Sequence, residues 1–153
     1  MLTDKARDNK NQATLVMKAW CMLNKPVEEV SFEGKDFNPL FEETHISDVE
    51  RLELDKVFEA IQTAHSSLIE DKEKATAKKL YTETHMVSLI PFFHKAIKEG
   101  IEIQQMCEWL MEFFDSDNER YNIAAGNGSA KNANIIVRNS ELEASFDRFF
   151  SEV

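Results

Sequence analysis

Apolar residues recur along this chain at helical spacing, most densely between Leu80 and Gly100. Met86, Leu89, Ile90, Phe93 and Ile97 share one face there, and that face must be buried. Lys95 and Lys98 fall in the last turn, where cations suit the helix dipole, and Gly100 is the residue type that stops a helix in the left-handed conformation. The pattern predicts a central helix. Pro91 interrupts it, by a kink or by ending one helix near Leu89 and starting another; the unbroken phase of the apolar face favours a kink.

Four more helices follow from the same periodicity. An opening one, capped by Thr3 or Asp4, carries Ala13, Val16, Met17, Trp20 and Leu23 and ends at Asn24 to Pro26. Ser47-Asp-Val-Glu50 is a capping box that starts a helix running to about Ile69. Leu54, Phe58, Ile61, His65 and Leu68 lie on one side of it, flanked by Val57 and Ala64. Ile103, Met106, Trp109, Leu110, Phe113 and Phe114 make a wide apolar face over 101–114. A last helix begins at Lys131 or Asn132, with a break expected at Asn139-Ser140, where Ser140-Glu-Leu-Glu143 resembles a second capping box; Ile135, Arg138, Leu142, Phe146 and Phe149 share its face. Three segments lack sustained periodicity: 25–46, read as a lid folded back by Phe37, Leu40 and Phe41; 70–79, read as a polar connection; and 115–130, read as a loop. Val27, Val30 and Phe32 suggest a short extended piece before Gly34. The sum is a single all-α domain over 1–153, a bundle of about five helices with a Pro-kinked central member. The helical start fits a fragment of a longer chain and a short native protein equally.

Composition narrows the class. Four Gly and three Pro are too few for a sandwich or barrel, and eleven Phe argue against disorder. The net charge is −10, from 28 acidic and 18 basic residues, a field that repels nucleic acid and anionic membrane. No run approaches the roughly 20 apolar residues of a membrane span, and the first residues form no secretory leader, so a cytoplasmic protein is expected. Cys21 and Cys107 sit among apolar neighbours and read as two reduced, packed thiols; whether they meet stays open.

Candidate chemistry is sparse. His85 and His94 lie nine positions apart, on opposite faces of a straight helix, and no metal-binding or nucleophile spacing occurs. No catalytic residue, cofactor or metal ligand is assigned. His65, on an apolar side, reads as a core histidine. The turn Gly126-Asn-Gly-Ser-Ala-Lys131 could aim backbone amides at an anion, with Ser129 and Lys131 adding donors, although an ordinary capped connection is the simpler reading. Arg138, on an otherwise apolar face, is expected to bridge to a carboxylate or to carbonyls at a helix C-terminus. Ser129, Lys131 and Arg138 are thus the candidate contacts for an anion or nucleic acid.

The feature order resembles the helical region that follows the ParB-like nuclease domain in defence proteins of the GmrSD type. The matching features are an opening helix near Arg7, a long amphipathic helix at 48–69, the central apolar helix, Phe113-Phe114, Tyr121, Gly128-Ser129-Ala130 and Arg138 before a closing helix. The Asp-Gly-Gln-Arg-type signature of that nuclease is absent, as is a His-based nuclease motif. The resemblance therefore implies a non-catalytic accessory or regulatory module, with Tyr121, Ser129 and Arg138 as structural matches. Two other readings stand beside it. One is nucleic-acid contact through Lys74, Lys78, Lys79, Lys131 and Arg138. The other is an acidic binding protein or nucleic-acid mimic whose carboxylates dock on a basic partner.

Overall fold

The structure, a computed structural model, describes residues 4–151, with side chains over 12–151. The described residues are helical with no strand. The helices are α1 (Asp4–Asn24), α2 (Gly34–Glu43), α3 (Asp48–Glu70), α4 (Lys74–Leu80), α5 (Glu83–Glu99), α6 (Ile103–Asp115), α7 (Glu119–Ala124) and α8 (Asn132–Ser151), with a single 3-10 turn at Val27–Glu29. Eight α-helices replace the expected five or so because each aperiodic segment holds a short one. A helix of six to ten residues makes two or three turns, too few for its period to stand out.

The lid segment is thus half helix. Phe37 on α2 is buried and meets the rings of Phe32 and Phe41 edge to face, while Phe41 stays exposed. No extended pairing forms at Val27–Phe32; the Pro26 carbonyl closes a 3-10 turn instead, and Phe32 donates its amide to the Ala130 carbonyl at 2.9 Å. The polar connection contains α4, whose buried Thr76, Ala77 and Leu80 dock it. The expected 115–130 loop contains α7, capped by the Asn118 side chain accepting from the Tyr121 amide at 3.0 Å.

At the N-terminus the expected caps, Thr3 and Asp4, divide: Thr3 lies outside the described residues and α1 is already helical at Asp4. The side chain of Arg7 is likewise outside them. The Ser47–Glu50 capping box is formed, with the Ser47 hydroxyl accepting from the Glu50 amide and the Glu50 carboxylate accepting from the Ser47 amide. The predicted break at Ser140 does not occur. Ile135, Arg138, Leu142 and Phe146 stay in phase along one buried face, so α8 gains by continuing.

Helix α5 is enclosed by α1, α3, α4 and α8. It runs through Pro91 without a break, so two helices do not meet there, and ends at Gly100 with φ 71°. Its buried arc is broader than a single stripe: Val87, Leu89, Ile90, Phe92, Phe93 and Ala96 are all inside. Ala96 takes the place expected for Ile97, which is 42% exposed. With partners on several sides, the centre of burial is set by neighbours and drifts off the narrow stripe that the sequence suggests. The main core joins α1, α3, α4, α5, α6, α7 and α8. Trp109 is sealed from solvent at its centre, packed against Phe92, Phe113, Phe146 and Phe150, with its indole N–H donating to the Ser145 hydroxyl at 3.1 Å. A smaller cluster of Cys21, Val30 and Ile135 lies apart from it, under the 3-10 turn. Both thiols are free and buried, in separate clusters. No described helix is long and apolar enough to cross a membrane.

Candidate functional site

The described polar side chains with the most chemistry converge where α5, α7 and α8 meet. Arg138 projects from the buried face of α8 and is 3% exposed. Its Nε donates to the Ser88 hydroxyl on α5 at 2.9 Å. One terminal nitrogen, Nη1, donates to the carbonyls of Ala124 at 2.6 Å and Ser129 at 2.9 Å. Ala124 is the last residue of α7, so the guanidinium satisfies a carbonyl orphaned at a helix C-terminus, as anticipated for this residue. Ser88 donates in turn to the Thr84 carbonyl one turn back at 2.7 Å. The partners of Arg138 are thus a hydroxyl and two carbonyls, and no described carboxylate forms an ion pair with it. Burial lowers its pKa, partly offset by Tyr121.

Tyr121 and His85 sit beside this hub. Tyr121, on α7, is fully buried, and its hydroxyl lies 2.7 Å from Nδ1 of His85 on α5. Burial raises the phenol pKa, so the phenol stays protonated and shares one hydrogen bond with Nδ1, its direction set by the imidazole tautomer. Burial, then the nearby Lys79 and Arg138 charges, depress His85 to about 4. The imidazole is neutral at pH 7 and packs against Phe114 and Tyr121.

The Gly-containing turn faces the opposite way from an anion cradle. The amides of Ser129 and Lys131 close turns onto the Gly126 and Gly128 carbonyls. The carbonyls of Gly128, Ser129 and Ala130 accept from Asn134, Arg138 and Phe32 respectively. Gly128 is needed for its φ of 79° and because a Cβ would come within 3.3 Å of the Asn134 amide nitrogen. Ser129 therefore joins Arg138 through its main chain. Lys131 does not: its side chain is exposed and lies along Gly128. Of the other basic residues weighed for nucleic acid, Lys74 and Lys78 are exposed on α4, while Lys79 is half-buried over the Phe114 ring at 5.2 Å.

His85 and His94 do point to opposite sides, the latter toward Glu53 on α3 at 3.9 Å. No group of three His, Cys, Asp or Glu among the described residues could hold a metal ion. His65 stacks flat on Tyr81 with ring centroids 3.6 Å apart, half-buried rather than in the core. Sequence reasoning passed over Ser88 and Lys18. Ser88 had a signal, a hydroxyl between Val87 and Leu89 in the most apolar run of the chain, four positions after Thr84. Lys18 had none, since its place follows from how α1 docks. The chain matches no family model, no curated protein and no solved structure.

Proposed function

We propose that this chain is a non-catalytic helical accessory module that acts in the cytoplasm through protein contacts. The observation that carries the reading is where its reactive side chains are engaged. Arg138, Ser88, Tyr121 and His85 bond to one another's helices, and both thiols are buried. A set of polar groups that ties three helices together is a fold device, and a surface is left to do the work.

That surface is acidic. No Lys or Arg occurs from Gly100 to Glu119, while Glu108, Glu112 and Asp115 stand exposed on α6. A basic protein partner fits such a face, and complementary charge chiefly speeds and orients encounter. The resemblance in helix order makes a nuclease-type defence protein the first partner to try. Affinity capture with the wild type and with a Glu108→Lys, Glu112→Lys, Asp115→Lys triple variant tests this. A basic partner held by the wild type and lost by the folded variant supports the reading. Equal capture by both, or capture by neither, overturns it.

A further inference from the structure

A cleft of about 40 Å³ opens beside the hub, lined by Lys18, Phe32, Glu83, Thr84, Val87, Ser129, Ala130 and Arg138. Arg138 reaches it with donor capacity to spare. Its hydrogen bonds use Nε and Nη1, and Nη2 donates to no described residue. No buried polar side-chain atom among the described residues lacks a partner, so Nη2 is not sealed: it opens to the cleft that Arg138 lines. A guanidinium this deep normally meets a carboxylate, because leaving the charge uncompensated in a poor dielectric is costly. The other charged side chains lining the cleft are Lys18 on α1 and Glu83 on α5, which pair with each other at 3.2 Å. With His85 neutral, the two cations and one anion of the cleft sum to a surplus positive charge, inside a protein of net −10. The cleft also adjoins the N-terminal turn of α5, where Thr82 gives the free amides no side-chain cap, and that end of a helix favours anions.

The geometry points to a binding site for a single carboxylate group, held by Nη2 of Arg138 at the floor and Lys18 at the rim. The cleft is small, a few water-sized groups at roughly 10–15 Å³ each, which limits the ligand to a compact anionic group. Charge selects the class: one surplus positive charge matches a monoanionic carboxylate better than a phosphoryl group, which carries about −1.5 to −2 at pH 7. The bond from Nη2 is charge-assisted and monodentate, since Nε is already engaged by Ser88. The site stands apart from the accessory reading, because it would bind equally well in a chain of any function.

Two sources share this chemistry, a free carboxylate and the side chain of a partner's Glu. Acetate probes the first and a blocked Gly-Glu-Gly peptide the second. Each is titrated against labelled protein at constant ionic strength with chloride as balance, and the Arg138 guanidinium resonances are read by NMR. Removing Arg138 would also uncap α7, so Lys18→Gln serves as the variant. Saturable movement of the Arg138 signals with either probe, weakened roughly twofold to fivefold in Lys18→Gln as loss of one rim charge implies, supports the site. Which probe saturates identifies the source. Movement with neither, equal movement with chloride, stronger binding of inorganic phosphate, or undiminished affinity in Lys18→Gln overturns it.

Discussion

Helices α5 and α8 are joined twice, by opposite means. Toward the C-terminal end of α8 the joint is aromatic: Phe92 of α5 meets Phe146 of α8 at 5.6 Å, with Trp109 of α6 against both. Toward the N-terminal end it is polar, with Arg138 of α8 reaching Ser88 of α5 and gathering the end of α7 and the following turn. Apolar packing is non-directional and scales with area removed from water. The polar joint adds little net energy, because each hydrogen bond replaces one made to water. What it adds is register: Nε and Nη1 hold Ser88 of α5, the end of α7 and the Ser129 carbonyl at fixed angles to one another. The aromatic joint supplies most of the stability, and the polar joint chooses which arrangement is stabilised.

The comparison breaks first at Trp109. Trp109→Ala should cost about 3–5 kcal/mol in denaturant unfolding, as deletion of core aromatics does; a loss under about 1 kcal/mol would mean the aromatic joint is not what holds the bundle. Arg138→Met should cost less, about 2 kcal/mol, because removing the buried charge relieves its desolvation while leaving the Ala124 and Ser129 carbonyls unpaired. Its signature should be local, with faster amide exchange in α7 than in α6. Uniform loss of protection across both helices would erase the proposed division of labour.

Smaller effects sharpen the polar side. Tyr121→Phe removes the hydrogen-bond partner of His85 Nδ1 at a cost of about 1 kcal/mol. It should also shift the His85 pKa, upward if the phenol donates to Nδ1 and downward if Nδ1–H donates to the phenol; an NMR titration with His85 unmoved would show that the bond has no influence on the ring. For His85 itself, the folded pKa lies below the unfolded one, so the unfolded chain binds the extra proton first. Its contribution is intact above about pH 6.5 and is lost as pH falls toward about 4. His85→Gln should flatten that limb of the stability curve, and an unchanged limb would assign the acid sensitivity elsewhere. Last, Lys131→Ala should change stability by less than about 0.5 kcal/mol, as exposed positions do; a larger loss in thermal unfolding would make Lys131 part of the joint.

The aromatic joint was the legible one. Trp109, Phe113 and Phe146 declare themselves through helical spacing, and each lies buried where its period puts it. Arg138 was half legible: a charge on an apolar stripe signals a buried partner, and a helix-end carbonyl was among those anticipated. Its other acceptors were not, because a main-chain carbonyl carries no residue identity for a pattern to find. The short helices escaped for a related reason. Helices α4 and α7 bury few side chains each, and they exist because α3, α5 and α8 offer them a floor.

Asn132 gives the molecule a direction in time. Its side-chain amide holds the carbonyls of Val27 and Val30, partners more than a hundred positions earlier in the chain. A polypeptide leaving the ribosome carries those carbonyls through more than a hundred further residues before their clasp is made. The segment around the 3-10 turn is therefore fastened late, and a nascent chain halted before Asn132 would leave it open to proteases that the finished protein resists.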